Sequence, residues 1–125
     1  MRLLLDTHVL LWWLADSPAL PERSRSLIRR SSPVYVSAAT VWEISIKQAL
    51  GKLEAPHDLE QALEAGRFEP LPITVAHAVA AGRLPRHHED PFDRMLVAQA
   101  QAESLTLLTH DERLKKYDVR LILVR

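Results

Sequence analysis

The alternation of short apolar runs with helical segments predicts an α/β fold with a mostly parallel sheet. Residues 2–5, 34–36, 105–109 and 119–124 form runs rich in aliphatic and β-branched residues, which is typical of buried parallel strands. The segments between these runs carry helical periodicity and helix-start signals. A chain of 125 residues has the usual length of one domain, so we expect residues 1–125 to form a single domain.

The first strand, residues 2–5, is followed by a predicted helix over residues 7–15. This helix is apolar on nearly every side and includes Trp12 and Trp13. A helix that is apolar all round is buried or lies at an interface. We therefore expect these tryptophans to lie at or near a contact with a partner, either a second copy of the chain or another protein.

A second helix is predicted from about Pro21 to Arg30, because proline is favoured in the first turn of a helix. The β-branched run at residues 34–36 predicts the second strand. Ser37 is a good N-cap for a third helix over residues 38–50, and Gly51 is a typical helix end.

The middle of the chain predicts a short helix over residues 56–66 and a weak strand at residues 68–73. Pro70 and Pro72 interrupt that strand, and because proline has no N–H to donate, they place it at the edge of the sheet. Thr74 is predicted to cap the next helix, which ends near Gly82.

The last third begins with a polar, histidine-rich loop and ends with two strands. The predicted elements are a loop (84–89), a helix (90–103), a strand (105–109), a helical turn (112–115) and a final strand (119–124). Asp90 followed by Pro91 is a strong helix start. His87 and His88 in the loop are expected to be solvated, and His8 and His110 to be surface residues.

Composition excludes several classes of protein. The 16 basic and 16 acidic residues give a formal net charge of zero, which argues against a free-standing, non-specific nucleic-acid binder but leaves room for a nuclease with an acidic site. The absence of cysteine excludes disulfide scaffolds and thiolate-bound metals. No apolar run approaches a membrane span or a signal-peptide core, so we expect a cytoplasmic protein without a membrane partner.

Four acidic residues occupy positions where a parallel sheet gathers ligand-binding groups. Asp6 and Asp111 follow predicted strands, Asp93 lies in the first turn of a helix, and Glu43 lies on a half-apolar helix face. Ligands bind beyond the carboxyl ends of parallel strands. Carboxylates gathered there repel one another unless a cation joins them, and hard oxygen ligands suit Mg²⁺ or Mn²⁺.

Each acid also has a purely structural alternative. Asp6 and Asp111 can cap the helical segments that follow them, and Asp90 needs no role beyond capping. Glu43 can pair with Lys47, four residues further along the same helix. These alternatives stay open for each residue taken alone; the joint placement of the acids is what favours a site.

Four motifs resemble those of PIN-domain ribonucleases, in the same order and at similar spacing. They are Leu-Leu-Leu-Asp-Thr-His at residues 3–8, Ser-Ala-Ala-Thr-Val-Trp-Glu at 37–43, Asp-Pro-Phe-Asp-Arg-Met-Leu-Val-Ala-Gln-Ala at 90–100, and Leu-Leu-Thr-His-Asp at 107–111. The closest group is the VapC-like toxins of bacterial type II toxin–antitoxin modules. The resemblance covers essentially the whole chain, and its most specific part is Asp-Pro-Phe-Asp-Arg.

The resemblance implies a three-layer α/β/α sandwich and an endoribonuclease that depends on Mg²⁺ or Mn²⁺. It also implies an RNA substrate, inhibition by a cognate antitoxin and a homodimer. The implied catalytic and metal-binding acids are Asp6, Glu43, Asp93 and Asp111. Asp90 would be an accessory acid, and Thr7, Ser37 and Thr109 would lie beside the site.

Arg94, Lys47 and Arg86 are candidates for contact with the RNA backbone, since phosphate contacts position a substrate. The alternative for Arg94 is an ion pair with Asp90 on its own helix. Two other functions fit a small α/β domain with acids at its strand ends. A receiver-like signalling domain needs an acidic pair after its first strand and a late lysine, and neither is present. A non-catalytic interaction domain would use its acids only as caps and would not respond to metal.

Overall fold

A computed structural model describes all 125 residues as five strands, six α-helices and one 3₁₀ helix. The strands are β1 (Leu3–Leu5), β2 (Val34–Ser37), β3 (Glu69–Leu71), β4 (Thr106–Thr109) and β5 (Leu121–Leu123). The α-helices are α1 (Thr7–Leu14), α2 (Glu22–Arg30), α3 (Ala38–Ala49), α4 (Leu59–Ala65), α5 (Val75–Arg83) and α6 (Pro91–Glu103). The 3₁₀ helix spans Glu112–Lys116.

The strands form one parallel sheet in the order β3-β2-β1-β4-β5. Leu4 of β1 is in register with Tyr35 of β2 on one side and Leu107 of β4 on the other. All five carboxyl ends therefore lie at one edge of the sheet. β2 and β3 lie on one side of β1, and β4 and β5 lie on the other, so the strand order reverses at β1. Ligands bind at such a switch point in open parallel sheets.

The central strand separates two apolar layers because side chains alternate across a sheet. Leu3 and Leu5 pack with α1, α2 and α4 on one face, whereas Leu4 packs with Leu96 and Val97 of α6 on the other. All of these side chains are buried. The predicted α/β/α sandwich with a parallel sheet is confirmed.

The predicted element boundaries shift where a local cap decides them. α4 begins at Leu59 rather than near residue 56, because the Asp58 side chain accepts a hydrogen bond from the Gln61 backbone N–H. β3 is only three residues long and lies at the sheet edge, as Pro70 and Pro72 predict. No helix of this chain is long and apolar enough to cross a membrane.

The two tryptophans of α1 are neither fully buried nor free. Trp12 and Trp13 are half-buried and pack against the apolar layer formed around Leu3 and Leu5. Trp13 also meets Phe68 edge to face, with ring centroids 6.4 Å apart. The predicted partner contact at these residues stays a prediction.

Candidate active site

Asp6 lies at the carboxyl end of β1 and is only 2% exposed. Its Oδ1 accepts a hydrogen bond from the Val9 backbone N–H at 2.8 Å and so caps α1. Its Oδ2 accepts from the Thr109 hydroxyl and, at 3.3 Å, from the His110 backbone N–H. Asp6 thus caps α1 with Oδ1, as the structural alternative predicts, while its Oδ2 faces the end of β4.

The Thr109 hydroxyl joins two of the acids. It donates to Asp6 and accepts from the Asp111 backbone N–H at 3.1 Å. Asp111 caps the 3₁₀ helix, and its Oδ2 accepts from the Arg113 guanidinium at 2.8 Å. This pairing holds the pKa of Asp111 below its usual value. Thr109 therefore lies beside the candidate site, between the ends of β1 and β4.

Glu43 is buried on α3, and both of its oxygens are engaged. Thr7 donates to Oε1 at 2.6 Å, and the Lys47 ammonium donates to Oε2 at 2.7 Å. The predicted Glu43–Lys47 pair is thus present. The bond to Thr7, which directly follows Asp6, also brings Glu43 to the β1 end of the sheet, so the two alternatives for Glu43 do not exclude each other.

Lys47 connects this side of the site to α6. Its pKa is raised above the usual value, chiefly by the hydrogen bond to Glu43, with smaller contributions from the charges of Glu43, Asp90 and Asp93. The Trp42 ring on α3 meets Phe92 in the first turn of α6, with ring centroids 5.4 Å apart. The exposed side of α3 and the beginning of α6 therefore lie next to each other.

Asp93 lies in the first turn of α6 and is partly buried. Its pKa is raised to about 6, mainly because burial disfavours the charged form and secondly because Asp90 is nearby. Asp90 itself caps α6, accepting from the backbone N–H groups of Phe92 and Asp93 at 2.8 and 3.3 Å. Asp90 is thus both the predicted cap and a charge that acts on Asp93.

His88 was expected to be solvated, and that prediction is wrong. It is 8% exposed, and its Nε2 lies 2.8 Å from Asp93 Oδ2 and 3.3 Å from Asp111 Oδ2. Its backbone N–H donates to the Tyr117 hydroxyl at 3.1 Å, which holds the loop against the body of the protein. No local pattern indicates this position, because the partners lie on separate elements. Its neighbour His87 is exposed, as predicted.

The Arg94 side chain holds the same loop. Its guanidinium donates to four backbone carbonyls and approaches the Tyr117 hydroxyl at 3.4 Å. The carbonyls belong to Ala81, Leu84, Pro85 and His88. The alternative ion pair with Asp90 does not form, and the predicted RNA contact of Arg94 stays a prediction. Arg86 is exposed in this loop and Lys47 is partly exposed, so both stay candidates for RNA contact.

Ser37 caps α3 and is hydrogen-bonded to Gln99, a residue that was not among the predicted site residues. Its hydroxyl accepts from the Ala39 backbone N–H at 3.0 Å and donates to Gln99 Oε1 at 2.6 Å. Gln99 is fully buried and also donates to the Pro72 carbonyl at 3.2 Å. A buried amide in a motif of otherwise helical core residues is a signal that could have been noticed.

The structure brings some of the predicted acids closer together than others. The ligand atoms of His88, Asp93 and Asp111 all lie within 4.8 Å of one another, as a metal site requires. Asp6 adjoins this group through Thr109, and its charge helps to raise the pKa of Asp93. Glu43 is at the same edge but stands outside the group, because Thr7 and Lys47 hold it.

The donor set fits a divalent cation. Two carboxylates and one imidazole are ligands that Mn²⁺ accepts, and carboxylates also suit Mg²⁺. Burial, and then the charges of Asp90 and Asp6, raise the pKa of Asp93, as is common for carboxylates in functional sites. A cation would offset the repulsion among Asp6, Asp90 and Asp93.

The sequence and the fold agree on a family. A family model for the PIN domain matches residues 3–120. The chain belongs to the PIN domain family. It is also 31% identical, over 117 residues, to Ribonuclease VapC22 of Mycobacterium tuberculosis, a match that covers 91% of this chain and 90% of that protein. The VapC-like PIN domain predicted from the four motifs is confirmed.

Solved structures share the fold of this PIN domain. VapBC2 from Rickettsia felis, bound to a DNA fragment from its promoter, matches with a TM-score of 0.75 and 16% identity over 100% of both chains. DNA-bound VapBC from Salmonella typhimurium matches with a TM-score of 0.72 and 18% identity over 100% of this chain and 99% of that chain. FitAcB from Neisseria gonorrhoeae matches with a TM-score of 0.68 and 25% identity over 96% of both chains.

Proposed function

We propose that this chain is a divalent-metal-dependent endoribonuclease that acts as the toxin of a type II toxin–antitoxin module. The observation that carries the proposal is the group of His88, Asp93 and Asp111 beside Asp6, at the carboxyl edge of a PIN-domain sheet. The relative that is a named ribonuclease supports the activity. The similar structures, which include a toxin–antitoxin complex from Klebsiella pneumoniae, support the biological role.

The side chains that would hold the metal are His88, Asp93 and Asp111, with Asp6 adjoining them. A bound Mg²⁺ or Mn²⁺ supplies Lewis acidity and lowers the pKa of water. Thr109 and the cap of α1 hold the Asp6 carboxylate in one orientation, because both oxygens are engaged. Such fixed orientation removes the cost of arranging the group during reaction.

Glu43 serves the site from the α3 side. Thr7 and Lys47 hold both oxygens, so the carboxylate keeps one orientation. Lys47 is partly exposed beside it and can donate to a phosphate oxygen of RNA. The acidic edge alone would repel RNA, and a metal together with Lys47 and Arg86 would reduce that repulsion.

The partners follow from the same role. A cognate antitoxin is proposed, because the similar structures include members of the VapBC family of toxin–antitoxin systems. A homodimer and a contact at or near Trp12 and Trp13 remain part of the proposal. A cytoplasmic location is also proposed, in keeping with an RNA substrate and a cysteine-free sequence.

The decisive experiment is cleavage of purified RNA in Mn²⁺ or in chelator. Wild type should cleave only with metal, whereas Asp6→Asn, Glu43→Gln and Asp93→Asn should each lose cleavage while keeping the fold by circular dichroism. Asp118→Asn is the matched control, because this exposed aspartate lies outside the site. A folded Asp93→Asn protein that still cleaves RNA would show that the site assignment is wrong.

Induced expression tests the toxin role separately. Wild type should arrest growth and leave RNA with new ends, which sequencing maps, and Asp6→Asn should do neither. Co-expression of a cognate antitoxin should restore growth. Growth arrest by the Asp6→Asn variant would mean that the toxicity, if any, does not come from cleavage.

A further inference from the structure

We propose that the Arg113 guanidinium is a built-in competitor of the metal, which binds the Asp111 carboxylate in its place and leaves when a divalent cation binds. The inference rests on the proposed function, because it concerns the metal that this site would hold. It gives a role to a basic side chain that the chemistry of the acids does not use, and that role is to lower the affinity of the site for metal.

Each of the four predicted acids is paired with a basic side chain. The pairs, with the distance from nitrogen to carboxylate oxygen, are Asp6–His110 (3.3 Å), Glu43–Lys47 (2.7 Å), Asp93–His88 (2.8 Å) and Asp111–Arg113 (2.8 Å). Opposite charges at such distances favour the ionised carboxylates and offset part of their mutual repulsion. A metal would therefore meet carboxylates that already have partners.

Arg113 is the partner that a metal cannot keep as a ligand. Among the four basic side chains, only His88 and Arg113 contact the group formed by His88, Asp93 and Asp111. The imidazole of His88 is a common metal ligand and is buried in place. A guanidinium offers only N–H donors and has no atom that binds a metal.

The Arg113 guanidinium contacts both oxygens of Asp111. Its Nε donates to Oδ1 at 3.0 Å, and a terminal nitrogen donates to Oδ2 at 2.8 Å, which is the two-point geometry of a strong pair. Oδ2 is also the oxygen that lies 3.3 Å from His88 Nε2, so it faces the other ligands. The guanidinium and a bound cation would share this oxygen, and like charges at such short range repel each other.

The Arg113 side chain is free to leave without a change in the fold. It is 66% exposed, whereas the Asp111 side chain is 13% exposed. The Arg113 backbone N–H donates to Asp111 Oδ1 at 3.0 Å, so the cap of the 3₁₀ helix does not depend on the guanidinium. Rotation of the side chain into solvent would therefore expose the carboxylate and leave its position unchanged.

The exposure of Arg113 also sets the size of the effect. The hydrogen bond between the two side chains is the largest cause that lowers the pKa of Asp111 and the largest that raises the pKa of Arg113. Each group thus favours the charged form of the other. Because ion pairs in contact with solvent are weak, the competition should lower metal affinity only by about 2–5-fold. Arg113 therefore tunes the affinity and does not block the site.

The competing interpretation is that Arg113 orients Asp111 for the metal. Side chains that hold a ligand in place raise metal affinity, and their loss weakens binding. A competitor has the opposite effect, because its loss removes a contact that binding has to break. The two interpretations therefore differ in the sign of the change in metal affinity when Arg113 is replaced.

Isothermal titration with Mn²⁺ at low salt measures this sign. Arg113→Gln should bind Mn²⁺ about 2–5-fold more tightly than wild type. Lys115→Gln is the matched control, because it removes the same charge from an exposed position of the same 3₁₀ helix. Its affinity should change less, since Lys115 has no ion pair with a carboxylate of the site.

Nuclear magnetic resonance of the arginine side chains gives a second readout. The Nε–H signal of Arg113, assigned by its absence from Arg113→Gln, should move toward the position of a free arginine as Mg²⁺ is added. A signal that keeps its position while Mg²⁺ binds would show that the guanidinium stays on Asp111, and it would overturn the proposal.

The outcomes of the titrations separate this inference from the proposed function. Unchanged or weaker Mn²⁺ binding by Arg113→Gln would overturn the competition, and so would an equal gain in Lys115→Gln, which would reflect net charge alone. Absence of Mn²⁺ binding by all three proteins would also overturn it. If the affinities follow the expected order but wild type cleaves no RNA with metal, the nuclease proposal fails and the competition stands.

Discussion

The Nε2 atom of His88 lies 2.8 Å from Oδ2 of Asp93, in a loop and a helix that meet at the carboxyl edge of the sheet. The contact partly offsets the burial and the neighbouring charges that raise the pKa of Asp93. Both groups are metal-ligand types, and both lie within reach of Asp111. The relationship makes two predictions, one for each partner.

Replacing Asp93 with Asn should stabilise the metal-free protein at neutral pH by about 0.5–2 kcal/mol. The pKa of Asp93 is about 6 in the folded chain against 3.8 as the ordinary value, so the folded state keeps its proton longer than the unfolded state. The contribution of Asp93 to stability is therefore fully present below pH 3.8 and is lost as pH rises to about 6. The Asn variant has no carboxyl group to ionise at this position, so it does not lose this stability as the pH rises.

Urea unfolding in chelator, between acid and neutral pH, measures the effect. Wild type should lose stability relative to Asp93→Asn across that window, and added Mn²⁺ should stabilise wild type more than the variant. A role as helix-dipole partner alone predicts the opposite sign, with a loss of about 0.3–1 kcal/mol in the variant. If the variant is less stable than wild type in chelator and neither protein is stabilised by Mn²⁺, Asp93 is part of a helix cap.

Replacing His88 with Gln should weaken Mn²⁺ binding by about 10–100-fold, whether the imidazole binds the metal directly or orients Asp93. If the imidazole is a ligand, the variant should also lose preference for Mn²⁺ over Mg²⁺, since nitrogen ligands favour the former. Isothermal titration with each metal distinguishes these cases. His87→Gln is the matched control, because His87 is the exposed neighbour. Unchanged binding in His88→Gln would exclude both roles.

Asp111→Asn should retain more RNA cleavage than Asp6→Asn. An amide oxygen can still bind a metal, and the Asp111 backbone N–H keeps its bond to Thr109. The Arg113 guanidinium, which lowers the pKa of Asp111, would lose its charged partner but is largely exposed. Initial cleavage rates at saturating Mn²⁺ measure the difference. Equal, complete loss in both variants would mean that the charge of Asp111 is required.

Arg94→Lys should lower the free energy of unfolding by about 1–3 kcal/mol, although it keeps the positive charge. Lysine cannot reproduce the fork of N–H groups that holds the carbonyls of Ala81 and Leu84 while reaching Pro85. Chemical denaturation measures the change, with Arg83→Lys as an exposed control. If stability is unaltered and RNA binding is weaker, the result would support the contact between Arg94 and an RNA phosphate that the sequence predicts.

The fold could be predicted almost completely because its signals are local. Ser37, Thr74 and Asp90 cap the helices that their positions in the sequence predict. Pro70 in β3 and Pro72 just after it predict the edge position of that strand. Capping and strand propensity depend on a few neighbouring residues, so a single sequence contains them. The motif around Asp93 indicated the family for the same reason, because the spacing of its residues can be read directly from the sequence.

The sequence alone determined which acids lie at the carboxyl edge, since strand ends and helix starts are written in local patterns. Only the tertiary structure decided which side chains meet there. His88 meets Asp93 and Asp111 across separate elements. The Arg94 guanidinium is held by the carbonyls of Ala81 and Leu84, from another helix and loop. Trp42 of α3 likewise contacts the Phe92 ring, which lies on another helix. Contacts between separate elements follow from packing and loop closure, which no local propensity encodes.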